Sequence, residues 1–301
     1  MTMKYKRTVG GTAFTVFNYI FLLLITFLCI YPFYYIVINT ISNNEMSAAG
    51  EIMFIPRQLH FTNYIRVMGL PGLSRSAFIS VSRTVIGTCA TVVVAGFVGF
   101  MFTKPMWMRK FWYRFVISSM YFSAGLIPYF LTVSRLGLRN NFLVYILPLV
   151  VQPFSILLVK TFVESTPPSL QESAEIDGAS TLTIFWKIVF PLIKPVLATV
   201  AIFAAVGQWN MFMDTLLFIT NQDLHTLQFT LYTYISRAGL LARLVQAAQL
   251  DAPGLAAVAN MQTDTSVRMT VTVLVTLPIL FVYPFFQKYF VKGIMIGAVK
   301  G

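Results

Sequence analysis

Six long apolar segments constrain this chain more than any other feature of its sequence. They lie near residues 14–38, 77–102, 112–134, 142–162, 196–219 and 270–291. Each reaches the roughly 20 residues that an α-helix needs to cross a bilayer. The chain is also 57% hydrophobic and only 11% charged, which is too apolar for a soluble protein of this length. The pattern predicts an all-α, polytopic membrane protein that has six transmembrane helices and contacts membrane lipid.

The basic residues indicate an orientation for these helices. With the amino terminus inside, every lysine falls on the inner side, and every basic residue on the outer side is an arginine. Lysine and arginine are enriched in cytoplasmic loops. We therefore expect a multi-pass protein of the cytoplasmic (inner) membrane, with both termini, including residues 1–13, in the cytoplasm. The same bias accounts for the net charge of +12 without nucleic-acid binding.

A polar, regularly patterned stretch within residues 163–195 separates the fourth and fifth apolar segments. Ser169 and Glu172 have the spacing of a capping box, which predicts that a helix begins at Ser169. Gly178 is suited to the left-handed backbone that ends many helices. Ser180 or Thr181 can then begin a second helix. The stretch therefore predicts two short helices joined at a glycine, exposed in a cytoplasmic loop.

This stretch resembles the EAA loop of ABC importer permeases, which reads roughly E-A-A-x-x-D-G-A and continues with a Phe, an Ile and two prolines at set distances. The matching positions are Glu172, Ser173, Ala174, Asp177, Gly178, Ala179, Phe185, Ile188, Pro191 and Pro195, and only Ser173 departs from the pattern. In that family the loop docks into a groove on the ATP-hydrolysing subunit. The resemblance implies an ATPase-coupling role for the residues Glu172, Ala174, Asp177, Gly178, Ala179, Leu182 and Phe185.

Each of these coupling residues also has a local interpretation. Glu172 can serve only the capping box, and Asp177 can cap the turn that follows its helix. Leu182 and Phe185 would be apolar side chains entering the partner's groove, or parts of an interfacial helix that rests on lipid. The residues alone leave both interpretations open.

The resemblance extends from about residue 14 to the carboxyl end and is nearest to the carbohydrate branch of the family. It is carried by Gly125-Leu-Ile-Pro128, Trp209-Asn210, Pro278 and Tyr283-Pro284. The alginate, aldouronate and pectin-oligosaccharide permeases are the most similar. The resemblance implies the membrane-domain fold of type I ABC importers over residues 14–301. It further implies import of an oligosaccharide, acidic and uronate-containing, by alternating access.

The same resemblance implies several partners. They are a second homologous permease subunit, two ATP-binding subunits that hold ATP and magnesium, and an extracytoplasmic solute-binding protein. The chain has no phosphate-binding Gly-rich motif ending in Lys-Ser or Lys-Thr. We therefore expect no enzymatic activity, no catalytic or metal-binding residues and no cofactor bound by this chain itself.

Polar and aromatic residues within the spans are candidates for a substrate path. The candidates are Gln208, Trp209, Asn210, Asp214, Tyr121, Tyr129 and Arg83. Polar groups at membrane depth are costly and usually face a bundle interior or a water-filled path. Asn210 and Asp214 are four residues apart and share a helix face. That face lines a path or makes hydrogen bonds between helices, and the sequence leaves both open.

The aromatic and basic candidates carry the same ambiguity. Tyr121 and Tyr129 can stack on a sugar ring or belong to ordinary packing and an aromatic belt. Arg83, Arg135 and Arg139 are expected near the outer mouth, where the arginine fork suits a carboxylate of an acidic sugar. Contacts with lipid headgroups or with the binding protein are the alternative.

An ion-coupled secondary transporter of a small polar solute is the alternative function. Such proteins carry acidic pairs within their spans or repeats with broken helices. Asp214 is the only acidic residue within the six predicted spans. The sequence therefore favours the ATP-driven importer.

Overall fold

A computed structural model of the protein describes the backbone of residues 9–236 and 263–293, and the side chains of residues 10–236 and 266–281. All regular secondary structure in these ranges is helical, which confirms the predicted all-α class. The predicted cytoplasmic segment 1–13 lies mostly outside the described residues. The described residues fall into two compact units, 9–70 with 234–236 and 263–274, and 71–233 with 275–293.

The first unit is built on one long apolar helix. Helix α1 spans Val9–Thr40 and is followed by two short helices, α2 (Asn44–Ala48) and α3 (Thr62–Met68). No residue in the most apolar 18-residue window of α1 is buried within the chain. Its carboxyl end is joined to α3, since Asn63 Nδ2 donates to the Thr40 carbonyl at 2.9 Å.

Helix α4 (Leu73–Met101) is the central element of the second unit. It packs against α7 (Pro153–Glu164) and α11 (Lys194–Asn210). A Cβ atom at Gly99 would lie 2.8 Å from Val159 Cγ1, so glycine permits the close approach of α4 and α7. The larger apolar core of the chain forms around this three-helix contact.

The predicted third span is interrupted. Helices α5 (Arg109–Ser119) and α6 (Leu126–Arg135) are separated by a non-helical segment at residues 120–125. Gly125 has a φ of 86°, a backbone conformation that other residues rarely adopt. The Gly-Leu-Ile-Pro sequence therefore marks a break where the apolar pattern predicted a continuous helix.

The rest of the described chain adds six helices and four helical turns. Two 3-10 turns, Phe142–Tyr145 and Leu147–Leu149, precede α7. The later helices are α8 (Ser169–Ile176), α9 (Thr181–Ile184), α10 (Phe190–Leu192), α12 (Met213–Phe218), α13 (227–236) and α14 (Thr263–Gly293). A π-helical turn, Phe185–Val189, joins α9 to α10, and a 3-10 turn, Gln222–Leu224, follows α12.

Two described helices, α1 and α4, are long and apolar enough to cross a membrane as they stand. Two further pairs pass the same test but are bent, by 48° between Phe142–Leu149 and Pro153–Glu164, and by 81° between Thr181–Leu192 and Lys194–Asn210. The number of candidate spans in the described part of the chain is therefore two to four. The count of six remains a prediction.

Candidate coupling loop and polar cluster

The polar loop forms the two short helices that the sequence predicts, but its first helix begins differently. Ser169 is the first residue of α8, and Pro168 precedes it as a cap without a side-chain hydrogen bond. The predicted capping box is therefore wrong, because Ser169 lies inside the helix and not before it. Glu172 therefore does not take part in a cap, and its side chain is exposed.

The turn between the helices is closed by main-chain hydrogen bonds. The amides of Gly178 and Ala179 donate to the carbonyls of Glu175 and Ala174 at 3.1 and 2.9 Å, which is the Schellman pattern. Gly178 has a φ of 78°, so its predicted left-handed conformation is confirmed. Ser180 Oγ accepts a hydrogen bond from the Thr183 amide at 3.3 Å and caps α9, as predicted. The loop therefore has a defined shape.

One face of the loop is packed into the chain's own core. Ala174, Ile184 and Val189 are buried there, and Phe185 is fully enclosed with 0% exposure. The Phe185 ring lies 5.3 Å from that of Phe97 and 5.6 Å from that of Phe100, both on α4. Phe185 is thus an internal anchor, and the expectation that it enters a partner's groove is corrected by its burial.

The opposite face of the loop carries exposed acidic and apolar side chains. Glu172 and Asp177 are exposed, and Leu182 retains 57% of its surface. Ile176 is 86% exposed and Trp186 is 49% exposed. Neither Ile176 nor Trp186 was predicted from the sequence to be a coupling residue. The exposure of Ile176 could have been predicted from its position, since it directly precedes Asp177 at the end of a helix in which Ala174 faces inward.

A charged contact joins the loop to the end of α4. Lys104 Nζ lies 2.5 Å from Glu175 Oε1, and the same ammonium group is 5.4 Å from the centre of the Phe100 ring. Phe100 in turn packs on Phe185. The loop is therefore held against α4 through both an ion pair and an aromatic cluster. The family pattern does not include Glu175.

A second polar site lies elsewhere on α4. Arg83 Nη2 is 3.2 Å from Asp214 Oδ2, and the two side chains are only 1% and 5% exposed. The guanidinium also donates to Gln208 Oε1 at 3.1 Å and to the Met211 carbonyl at 3.0 Å. The cluster spans the interruption between α11 and α12. Three predicted path residues, Arg83, Gln208 and Asp214, are thus brought together.

Two tyrosines complete this polar cluster. The Arg83 guanidinium carbon lies 4.4 Å from the centre of the Tyr145 ring, and the Tyr145 carbonyl accepts from Gln208 Nε2 at 3.1 Å. Tyr129 interacts electrostatically with Asp214, and its ring packs 5.6 Å from that of Phe218. Tyr145 was not selected from the sequence, because its only local signal is an aromatic ring within an apolar segment.

The other predicted path residues lie outside this cluster. Trp209 Nε1 donates to the Val275 carbonyl at 2.9 Å and is half-buried. Asn210 is exposed, and Tyr121 is 86% exposed in the segment between α5 and α6. Arg135 and Arg139 are also exposed. The seven candidates therefore divide into a cluster of four, of which Tyr129 is half-buried and the other three are buried, and three residues apart from it.

The comparison with protein families accords with these features. Residues 87–296 match the family described as the binding-protein-dependent transport system inner membrane component. The chain belongs to this family, and the match includes the loop at residues 163–195 and the Gln208–Asp214 region. Proteins of this family are permease components of ABC importers, so the chain is not an enzyme and ATP is hydrolysed by separate subunits.

Two individual relatives align with nearly the whole chain. Protein LplC of Bacillus subtilis (strain 168) is 36% identical over 296 residues, which cover 98% of this chain and 97% of LplC. The polygalacturonan/rhamnogalacturonan transport system permease protein YtcP of the same organism is 31% identical over 290 residues, with 96% and 98% covered.

A solved structure has the same fold. It is the crystal structure of a bacterial ABC transporter involved in the import of the acidic polysaccharide alginate. One of its chains superimposes with a TM-score of 0.81 at 26% sequence identity, covering 96% of this chain and 100% of that chain. The type I importer fold implied by the sequence resemblance is thereby confirmed.

Proposed function

We propose that the chain is the membrane-spanning subunit of an ATP-driven importer for acidic, uronate-containing oligosaccharides. The observation that carries this substrate class is the pair of similar proteins whose names state acidic polymers. One is named for polygalacturonan and rhamnogalacturonan, and the other for alginate, and each aligns with at least 96% of this chain. A polymer of uronic acids presents carboxylates, which arginine recognises through its planar fork.

The charge of the candidate path supports an anionic substrate only in part. Arg83 is neutralised by Asp214 within the chain, so it offers no free positive charge in this arrangement. Arg135 is the last residue of α6, which carries Tyr129, and Arg139 follows four residues later; both are exposed. We therefore assign the recognition of sugar carboxylates to Arg135 and Arg139. We assign Arg83 to holding Gln208, Tyr145 and Asp214 in place.

The coupling role belongs to the exposed face of the loop at residues 163–195. Glu172, Ile176, Asp177 and Leu182 would contact the ATP-binding subunit, while Ala174 and Phe185 anchor the loop on the core around α4. Closure of two ATP-binding subunits would pull this loop and rock α4 with it. Alternating access of the sugar path follows from that motion.

The importer would also contain a second, homologous permease subunit, two ATP-binding subunits that hold ATP and magnesium, and an extracytoplasmic solute-binding protein. We place the chain in the cytoplasmic membrane with both termini inside, because lysine is confined to the inner side in this orientation. Family membership supports this importer over the ion-coupled alternative.

The experiment that tests the proposal measures ATP hydrolysis by the complete complex in lipid vesicles. The solute-binding protein is supplied with galacturonate oligosaccharides, with alginate oligosaccharides, or with neutral oligosaccharides of matched length. We expect stimulation by a uronate series and little by the neutral one. Stronger stimulation by the neutral series would overturn the acidic substrate class while leaving the importer assignment intact.

The coupling assignment is tested in the same vesicles. Glu172→Ala combined with Gly178→Asp should abolish sugar-stimulated hydrolysis, because it removes the exposed charge and strains the left-handed turn. Glu164→Ala is the matched control, since Glu164 is an exposed acid that pairs with Lys160 within α7. Unchanged stimulation in the double variant would show that this loop does not couple ATP hydrolysis to sugar transport.

A further inference from the structure

The segment between α2 and α3 presents a short apolar surface. Residues 52–56 read Ile-Met-Phe-Ile-Pro, and they are bracketed by the charged residues Glu51 and Arg57. Ile52 is fully buried, whereas Met53, Phe54 and Ile55 are 57%, 59% and 73% exposed. Three consecutive apolar side chains are thus largely exposed. We call Met53, Phe54 and Ile55 the apolar wedge.

Three carbonyls of this segment are satisfied in an unusual way. The carbonyls of three successive residues each accept a hydrogen bond from a side chain of α1. Asn39 Nδ2 donates to the Ile52 carbonyl at 3.2 Å. The Tyr31 hydroxyl donates to the Met53 carbonyl at 3.2 Å, and the Tyr34 hydroxyl donates to the Phe54 carbonyl at 2.6 Å. The non-helical segment therefore lies alongside α1.

Where water is absent, a backbone carbonyl outside regular secondary structure needs a donor from the protein. In hydrocarbon an unpaired carbonyl costs several kcal/mol, so non-helical backbone is tolerated there only when protein groups satisfy it. In water the same carbonyls would be solvated without such donors. The bonds from Tyr31 and Tyr34 therefore match carbonyls placed at membrane depth.

The position of the donors on α1 gives that depth. With the span Gly10–Thr40 centred on the bilayer, Tyr31 and Tyr34 lie about 9 and 14 Å from the midplane at 1.5 Å per residue. The hydrocarbon half-thickness is about 15 Å. The carbonyls of Met53 and Phe54 thus lie in the outer part of the hydrocarbon layer, and Tyr34 is close to its edge, where tyrosine is enriched.

We propose that the apolar wedge inserts into one leaflet and contacts phospholipid acyl chains beside α1. The wedge continues the exposed apolar surface of α1, since the Phe54 ring packs 5.5 Å from the Tyr31 ring. The wedge itself is uncharged, and Glu51 and Arg57 on either side are exposed and suited to the headgroup layer. The wedge thereby fixes the small unit of α2 and α3 at the membrane surface.

Site-directed spin labelling in the assembled importer tests this proposal. Cys29 and Cys89 are first replaced by serine, because both are free and exposed. A nitroxide is then attached to Ile55→Cys, to Leu24→Cys on the exposed surface of α1 as the lipid reference, and to Glu45→Cys on α2 as the water reference. The complexes are reconstituted in vesicles of phosphatidylethanolamine and phosphatidylglycerol, and collisions with oxygen and with a water-soluble nickel chelate are compared.

The label at residue 55 should show the high ratio of oxygen to nickel collisions measured at residue 24, several-fold above that at residue 45. Frequent nickel collisions would place the wedge in water and overturn the proposal. Low collision rates with both reagents would show that a second protein chain covers the wedge, which would overturn it equally.

A second variant tests the hydroxyl tether without altering the wedge. Tyr34→Phe removes the donor to the Phe54 carbonyl, so nickel collisions at the residue 55 label should rise. Tyr19→Phe, an exposed tyrosine on the same helix, is the matched control. Equal collision rates in the two variants would show that the hydroxyl does not hold the segment at depth.

Discussion

Arg83 and Asp214 form a buried ion pair with an Nη2–Oδ2 distance of 3.2 Å. They are 131 residues apart in sequence, and the pair joins α4 to the start of α12. Three further guanidinium N–H groups donate to Gln208 and to the Met211 carbonyl, just after the end of α11. One arginine therefore ties α4 to both sides of the break at residues 211–212.

Removal of one partner of this pair should strongly destabilise the chain. Asp214→Ala leaves the Arg83 charge buried and unpaired, which costs about 3–5 kcal/mol in comparable sites. Asp223→Ala, at an exposed acid, should change stability by no more than about 0.5 kcal/mol. The melting temperature of the complex in detergent measures both. Equal melting temperatures for the two variants would contradict a structural ion pair.

Replacement of both partners distinguishes packing from substrate contact. Arg83→Met combined with Asp214→Leu removes both charges, and such double replacements are often neutral or stabilising. If the pair only holds helices together, the double variant should retain sugar-stimulated ATP hydrolysis. Loss of stimulation at unchanged melting temperature would instead place the pair on the sugar path. The experiment thus decides between the two interpretations that the sequence leaves open for Asp214.

Close helix contact at Gly99 gives a prediction about packing. A Cβ atom there would meet Val159 Cγ1 at 2.8 Å and the Ile156 carbonyl at 3.1 Å, so Gly99→Ala must push α4 and α7 apart. Overpacking of this kind costs about 1–3 kcal/mol. The melting temperature should fall accordingly.

Gly96→Ala is the matched control on the same helix. Its Cβ would lie 3.4 Å from Leu197 Cδ2, a contact that the end of a leucine side chain can relieve. Alanine also gains about 1 kcal/mol of helix propensity over glycine. The control should therefore be near neutral, and a larger loss at Gly96 than at Gly99 would refute this account of the packing.

Local features of the coupling loop were predictable from the sequence. The left-handed Gly178 and the Ser180 cap depend on neighbouring residues alone, and both are present. The inward orientation of the Phe185 side chain was not predictable in the same way. It depends on where α9 docks against Phe97 and Phe100, which is a tertiary contact without a local signal.

The contacts within the polar cluster were not predicted from the sequence either, although one of them could have been. The sequence predicts Arg83 near an outer mouth but does not name a partner for it. Asp214 was already the only acidic residue within the predicted spans. Since charges within membrane helices usually pair with one another, these two residues could have been matched. The break at Gly125 was missed because an apolar pattern does not show whether its helix is continuous.

Substitutions at Phe185 and at Leu182 should have different effects on stability and on coupling to ATP hydrolysis. Phe185→Ala removes a fully buried ring from the core and should cost about 3–5 kcal/mol. Leu182 is 57% exposed, so Leu182→Ala should leave the melting temperature nearly unchanged. In vesicles, however, Leu182→Ala should reduce sugar-stimulated ATP hydrolysis. Full stimulation in Leu182→Ala would remove this residue from the proposed contact with the ATP-binding subunit.

The contact between Lys104 and Glu175 gives the last prediction, because it ties the loop to α4 by charge. Lys104→Glu and Glu175→Lys should each lower sugar-stimulated ATP hydrolysis, and the combined charge swap should restore it. Stability should change little, since exposed ion pairs contribute about 0–1 kcal/mol. Lys160 and Glu164 form a similar pair within the single helix α7, so the same swap there should leave stimulation unchanged. Failure of the combined swap to exceed either single variant would show that the ion pair does not link the loop to α4.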